Sequence, residues 1–269
     1  MPTRYVFAAE TTDDADAHVH RSVMMQALAQ MFDPFSTKRL DSVGIGPDAR
    51  CLVVAVGASK IAARLADDFA PEGEVIATDT DHEHTHHHPR VRLLTHNIVT
   101  EPLPPGGFDV IQVRLLLGHL PQRDDVLAKL AGALNPEGSL LVEEFAGTWD
   151  ISVLSAPDWH EANRLFGAYH DAFRAMLTAA GNDLTWSRRV HDAMHGLGLD
   201  VDTTGDTGTW TGDSPGTQLP WATAGLRRDK LIENGMSAAD IDAFRALLAN
   251  PDLRVLGNLA LSTHGRRVQ

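Results

Sequence analysis

The sequence predicts an α/β protein built on a doubly wound, mostly parallel sheet, with helices at the N-terminus and in the second half added as a cap. Three observations carry this expectation. Residues 51–56 (CLVVAV) form a Val-rich run with no polar member, the pattern of a strand buried on both faces. The run ends in the small-residue turn Gly57-Ala58-Ser59 and passes at Lys60 into Ile61, Arg64, Leu65 and Phe69 at helical spacing. Strand-like and helix-like stretches then alternate along the first 150 residues, as doubly wound sheets require. A buried strand, a tight turn and a helix start make the first half of a nucleotide-binding βαβ unit.

Composition narrows the class. A chain of 269 residues with 43% hydrophobic content can bury a sizeable core as one large domain or a domain with a cap. The net charge of -13 repels nucleic-acid phosphates and anionic membrane surfaces, so neither is an expected partner. No apolar run approaches the roughly 20 residues of a membrane helix. The opening MPTRYVFAAETTDD lacks a basic-then-apolar signal pattern, which leads to the expectation of a soluble, cytoplasmic protein. The single cysteine, Cys51, permits neither an internal disulfide nor a cysteine metal cluster and reads as a small core residue.

In chain order, residues 13–35 place Val19, Val23, Met24, Ala27, Leu28 and Met31 at helical spacing and stop at Asp33-Pro34. A short second helix over 36–43 precedes the first strand; this segment covers a sheet edge or forms a substrate lid. A second strand, 74–78, closes on Asp79, where a carboxylate can accept both hydroxyl protons of a ribose or simply end the strand. His82, His84, His86, His87 and His88 follow in a polar loop. They lack the fixed helical spacing and distant partner ligands of a defined site, so a solvated loop and no metal are expected. A third strand (91–94) leads to His96 and Asn97, and a fourth (108–113) to Arg114, His119 and a helix over 122–134. Asn135-Pro136-Glu137-Gly138 is expected to end that helix. A fifth strand (140–142) closes on Glu143 and Glu144, which project to opposite faces if the strand continues.

The rest is richer in helix. Stretches 157–180, 185–197 and 221–231 read as helices, as does the stretch after Ser237, whose hydroxyl with Asp240 resembles a capping box. Residues 200–216 read as an irregular strand and loop, and 255–262 as a last strand. The expected division is an N-terminal helical cap over 1–46 and an α/β domain over 47–269, with helical insertions at about 150–198 and 218–250.

Five segments in order, RCLVVAVGASKIAARLA, EVIATD, THNIVTEPLP, FDVIQVRLLLGHLP and NPEGSLLVEEF, resemble the class I S-adenosylmethionine-dependent methyltransferases, particularly bacterial small-molecule enzymes. The resemblance extends over nearly the whole chain. It implies a seven-stranded sheet with a reversed last hairpin, supplied by the regions near Asp200 and Val255. Position by position, it makes Gly57 the residue whose backbone faces S-adenosylmethionine, with Ala55 and Ser59 beside it. It makes Asp79 the ribose ligand, Asn97 the adenine-facing group, and His119 a neighbour of the cofactor. Glu144, Glu143, His119 and His170 are candidate bases, with Glu144 preferred; Lys60, Arg114 and Tyr169 are candidate contacts for substrate or an anion.

The family pattern opens with an acid and places glycines at alternate positions, where this chain has Val53, Ala55, Gly57 and Ser59. The Ala55 methyl is expected to fit because ordinary backbone dihedrals are expected there. Val53 removes a negative charge from beside a cofactor bearing a sulfonium and an ammonium, and Lys60 adds a cation. Asn97 replaces an acid, although its amide oxygen can accept from an adenine amine. Ser59, Lys60 and the N–H groups of the helix start would suit an anion. Three activities follow. The first is methyl transfer to a small metabolite, in secondary metabolism. The second is cyclisation, or elimination of an anionic leaving group, by an enzyme that has lost methyl transfer in natural-product biosynthesis. The third is a non-catalytic partner subunit. Homo-oligomerisation is compatible with each.

Overall fold

The computed structural model describes residues 15–268. Asp13, the expected start of the first helix, and the stretch on which the signal-pattern expectation rests lie outside the described residues. The described residues begin with helix α1 (Ala15–Asp41), strand β1 (Arg50–Val54) and helix α2 (Ile61–Arg64), which widens into a π turn over Leu65–Phe69. Strands β2 (Glu74–Asp79), β3 (Val91–Thr95) and β4 (Phe108–Arg114) follow, then a 3-10 turn (Leu117–His119), helix α3 (Arg123–Gly132) and strand β5 (Leu134–Phe145). The second half comprises β6 (Ser152–Ser155), α4 (Trp159–Ala179), α5 (Trp186–Gly196), β7 (Leu199–Asp206), β8 (Thr209–Thr211) and α6 (Pro215–Leu226). It ends with α7 (Arg228–Glu233), α8 (Ala238–Leu248), β9 (Arg254–Leu256) and β10 (Ala260–Arg267).

These elements group into two units. The sheet unit contains Phe32–Ala146, Thr185–Asp206 and the residues from Ala260 onward. Its seven strands run in the order β3-β2-β1-β4-β5-β10-β7, with β10 antiparallel to both neighbours. This is the expected mostly parallel seven-stranded sheet. Alternation along each strand sorts its side chains between two cores. Leu52, Val54, Ile111, Val113, Leu140 and Val142 pack with Leu127 and Leu130 of α3 and Trp186, Val190 and Met194 of α5. Cys51, Val53, Val75, Val110 and Leu141 face the other way, onto Leu40 of α1 and Ile61 and Leu65. Both faces are covered, which is why the central strands carry so few polar residues. The strand order reverses between β1 and β4, and the crevice outside the carboxyl ends of such a pair is where open α/β sheets place ligands.

The second unit contains the described residues up to Met31, Gly147–Leu184 and Thr207–Leu259. Its three-stranded sheet, β6-β9-β8, packs with α4, α6, α7 and α8 around Phe166, Tyr169, Leu231, Ile241, Phe244 and Val255. The Ser237 hydroxyl accepts the Asp240 N–H (3.0 Å) at the start of α8, as the capping pattern predicts.

Three local expectations are corrected. The two short N-terminal helices are one, α1, which continues through Pro34. Proline removes one helical donor and costs about 3 kcal/mol in a helix interior. Burial of Phe35 and Leu40 just beyond it offsets that cost. Residues 135–138 do not end a helix but lie inside β5, where Glu137 takes φ 66° and the pairing with β4 slips between Phe108 and Val110. Val255 belongs to the small sheet, opposite Val153 and Trp210, and β10 is the last strand of the large one.

Cys51 is fully buried, and that burial, with the nearby Asp109 charge, pushes its thiol up to about 12. Its thiol should therefore ignore a neutral disulfide reagent at pH 8 in the folded protein and react stoichiometrically in urea; rapid labelling without denaturant would contradict this packing.

Candidate active site

Strand β1 hands the chain to a loop whose backbone is unusual. Ala55 adopts φ 57° and Gly57 φ 50°. The left-handed region costs a residue with a Cβ about 1–2 kcal/mol, so the expectation of ordinary dihedrals at Ala55 is wrong. Leu115, one residue beyond β4, is also left-handed at φ 53°. Since β1 and β4 are paired neighbours, two strained residues flank the crevice at their carboxyl ends. Strain held at such a point is a mark of functional sites.

Asp79 ends β2 beside this loop. Its Oδ2 accepts the Gly57 N–H (2.9 Å) and its Oδ1 the Thr80 N–H (2.8 Å), so the acid and the loop of the expected cofactor site are brought together. Asn97 lies farther along this end of the sheet, after β3. Its Oδ1 accepts the Val99 N–H (3.0 Å), so the amide oxygen foreseen for adenine already caps a turn of its own chain.

The centre of the site contains a residue with no visible signal in the sequence. Asp33, on α1, accepts from the Ser59 hydroxyl (2.8 Å), from the Lys60 backbone N–H (3.0 Å) and from Arg114 Nη1 (2.9 Å). The donors expected to bind an external anion thus converge on the protein's own carboxylate. Lys60 takes part through its backbone, while its side chain is exposed. Arg114 also donates to Ser36 Oγ (3.2 Å) and covers the ring of Phe32 (5.3 Å to the centroid).

Beneath Arg114 is Glu143, fully buried. Its Oε2 accepts from Ser36 Oγ and from Gln112 Nε2 (2.9 Å for the latter). Burial raises its pKa, opposed by the Ser36 hydrogen bond, the Arg114 charge and the Gln112 amide. Gln112 Oε1 and Glu143 Oε1 are buried acceptors without a hydrogen-bond partner. A shallow recess is lined by Val53, Val54, Ala55, Val56, Ser59, Ile61, Gln112 and Arg114.

Glu144, the preferred base, projects to the opposite face, as the strand's alternation requires. It is buried and its Oε1 accepts the Gly118 N–H (3.1 Å), which makes it a cap for the turn after β4. Burial pushes its pKa up to about 7 against the pull of the backbone N–H groups of 116–118 and of Arg123. His119 ends that turn, half-buried. Tyr169 and His170 belong to the helical unit. Tyr169 is a core residue, its ring stacked on Phe173 and Phe244 and its hydroxyl bonded to Thr223, which accounts for the residue without a substrate. His170 Nδ1 lies 3.2 Å from Asp150 Oδ1; burial lowers its pKa, with Asp150 opposing and Arg174 assisting. Among the described residues, no three His, Cys, Asp or Glu side chains are grouped to hold a metal ion.

A seven-stranded sheet with one reversed strand and a cofactor-type loop at its switch point defines a methyltransferase-like α/β protein. The family described as "Methyltransferase domain" matches residues 52–142. The chain is 31% identical over 115 residues to a ubiquinone/menaquinone biosynthesis C-methyltransferase, UbiE, of Cupriavidus necator, covering 39% of this chain and 47% of that protein. It thus spans about half the length of the curated relatives it matches. Among solved structures, YcgJ of Bacillus subtilis superposes with a TM-score of 0.54 at 16% identity, covering 87% of this chain and 97% of that one. Phosphoethanolamine N-methyltransferase 2 of Haemonchus contortus, solved with phosphomonomethylethanolamine and S-adenosylhomocysteine, superposes with a TM-score of 0.53 at 13% identity, over 92% of this chain and 58% of that one. Residues 52–142 are thus similar to a methyltransferase domain, and the chain shares the fold of these solved structures.

Two substitutions test this geometry. Ala55→Gly should relieve the left-handed strain and raise stability by about 1 kcal/mol in urea unfolding, net of the extra freedom glycine has in the unfolded chain; destabilisation would show that the methyl is needed. Glu144 holds its proton to about pH 7 when folded, against the ordinary value of 4.5. The folded state therefore binds more protons between these values, and the group's contribution falls by roughly 3 kcal/mol as pH rises through them. Glu144→Gln should flatten that part of the stability profile, gaining on the parent at pH 8 and differing little at pH 5.

Proposed function

We propose that the protein transfers a methyl group from S-adenosylmethionine to a small metabolite, as a cytoplasmic enzyme of secondary metabolism. The observation that carries this reading is the Asp79–Gly57 hydrogen bond at the switch point, which holds an acid of the ribose-binding type against the backbone of the β1 loop. The family match over residues 52–142 supports it, as does the name of the UbiE relative, a C-methyltransferase of quinone biosynthesis. The net charge of -13 favours a small acceptor over a nucleic acid. Among the described residues, no helix is long and apolar enough to cross a membrane.

The donor set suits a cationic cofactor. Asp33, Glu143 and the orphaned Gln112 Oε1 crowd acceptors around one guanidinium, that of Arg114. A buried acceptor without a partner favours a ligand that brings donors. Asp79 would hold the ribose hydroxyls and the Gly57 backbone would border the cofactor. When bound, S-adenosylmethionine supplies an electrophilic methyl group on a sulfonium. The chain's own contribution is then alignment: the β1 loop and the β4 end orient the reactants at near-contact distance, and the apolar strand ends exclude water. His119, half-buried at the end of β4's turn, is the residue we assign to take a proton from an acceptor that must lose one. Glu144 is committed to the Gly118 N–H instead. The elimination reading needs Ser59, the Lys60 N–H and Arg114 for an anionic leaving group, and Asp33 engages all three.

Isothermal titration of the full chain with S-adenosylmethionine and S-adenosylhomocysteine should give saturable binding, and mass spectrometry should find one of them carried through purification. No heat of binding for either at millimolar concentration would overturn the methyl-transfer reading.

A further inference from the structure

The geometry points to a second reactive centre, in which Ser139, His264 and Asp202 act as nucleophile, base and orienting acid toward the acyl group of a small activated ester. It lies apart from the crevice described above and does not rest on the methyl-transfer reading.

The three residues stand on neighbouring strands, β5, β10 and β7. Antiparallel pairing sets His264 opposite Asp202 on one side and Leu141 on the other, and sets Arg266 opposite Ser139. Directly opposed residues share a face of the sheet, as do residues two apart on one strand. Ser139, His264, Asp202 and Arg266 therefore project from the same face. Ser139 precedes Glu143 by four residues, about 13 Å of strand, away from the crevice.

On that face His264 Nε2 lies 2.9 Å from Ser139 Oγ, and its Nδ1 lies 3.5 Å from Asp202 Oδ2. The carboxylate can only accept, so Nδ1 carries the ring proton and Nε2 accepts from the serine hydroxyl. This is the order of roles in a serine–histidine–aspartate set, where contacts are often long before a substrate tightens them. Arg39 anchors Asp202 in turn. Burial and the Arg39 charge lower the pKa of His264 against the pull of Asp202, which leaves the ring neutral and able to take a proton.

Arg266 gives one donor to Glu137 and has others for a carbonyl oxygen that gains charge. The bulge of β5 comes immediately before the serine, with Glu137 at φ 66°. Bulges and left-handed residues both cluster beside reactive side chains. Ser139 is 4% exposed and the His264 side chain 13%, which restricts the acyl group to a small one. In the first step Oγ bonds to the carbonyl carbon, the ester's C–O bond breaks, and the serine proton passes through Nε2 to the leaving oxygen. Water then attacks the acyl-serine, losing a proton to Nε2; the acid departs and that proton returns to Oγ.

The test uses the native full-length chain and methanesulfonyl fluoride, a small probe from which an activated serine displaces fluoride. Peptide mapping by mass spectrometry should find one adduct, on Ser139. His264→Gln should form it at least about 100-fold more slowly, the lower end of general-base catalysis. Asp202→Asn should slow it as well, and Asp202→Glu should restore it. Hydrolysis of p-nitrophenyl acetate by the parent should disappear in Ser139→Ala. An unlabelled parent, an adduct on another residue alone, or equal rates in parent and His264→Gln would each overturn the centre, reducing these contacts to a polar ladder across the strands. Hydrolysis unchanged in Ser139→Ala would overturn it too, and equal labelling of parent and Asp202→Asn would remove Asp202 from it. Labelling of the parent decides the matter even where a variant fails to fold.

Discussion

The site depends on the carboxylate of Asp33. It draws together three pieces of chain far apart in sequence: the end of α1, the loop after β1 and the end of β4. Its partners are a hydroxyl, a backbone amide and a guanidinium, two of which are shielded from water. Hydrogen bonds to a charged acceptor in such surroundings are stronger than neutral ones, and losing the acceptor would leave several donors unpaired together. The same carboxylate fixes the turn at Ser59 and Lys60 against the end of β4.

The neighbouring charges follow from that placement. Arg114, held by Asp33, lies over Glu143 and offsets part of the cost of burying it. Ser36, one helical turn beyond Asp33, reaches Glu143 directly. One turn of α1 thus supplies both the acid that faces the loop and the hydroxyl that satisfies the buried glutamate. Pro34 lies between them, and the helix continues through it because its next residues are committed to the sheet.

The two glutamates at the end of β5 show how far a sequence pattern reaches. That they point to opposite faces followed from the two-residue period of a strand. Which of them meets the polar network did not follow, because it depends on which helix covers each face. Glu143 lies under α1 among Ser36, Gln112 and Arg114; Glu144 lies against the turn after β4 and caps it. Ala55 is a similar case. Its identity was plain, but its left-handed φ is imposed by how β1 must turn into the loop, and a residue's identity alone does not report its dihedral.

The sheet was legible because its signals are local: apolar runs of strand length, turns of small residues, and helical spacing between them. The acid after β2 and the small-residue loop were legible for the same reason. Asn97, Tyr169 and Asp33 were not. The first has its oxygen spent on a turn, the second is locked into an aromatic core, and the third was visible only as a residue before proline. The sequence by itself determined the fold class, the succession of the first five strands and the helices among them, and the small-residue turn after the first strand. Only the tertiary structure decided which charges meet there, because hydrogen bonds between Asp33, Ser59 and Arg114 depend on distances in space that separations of 26 and 81 residues do not encode.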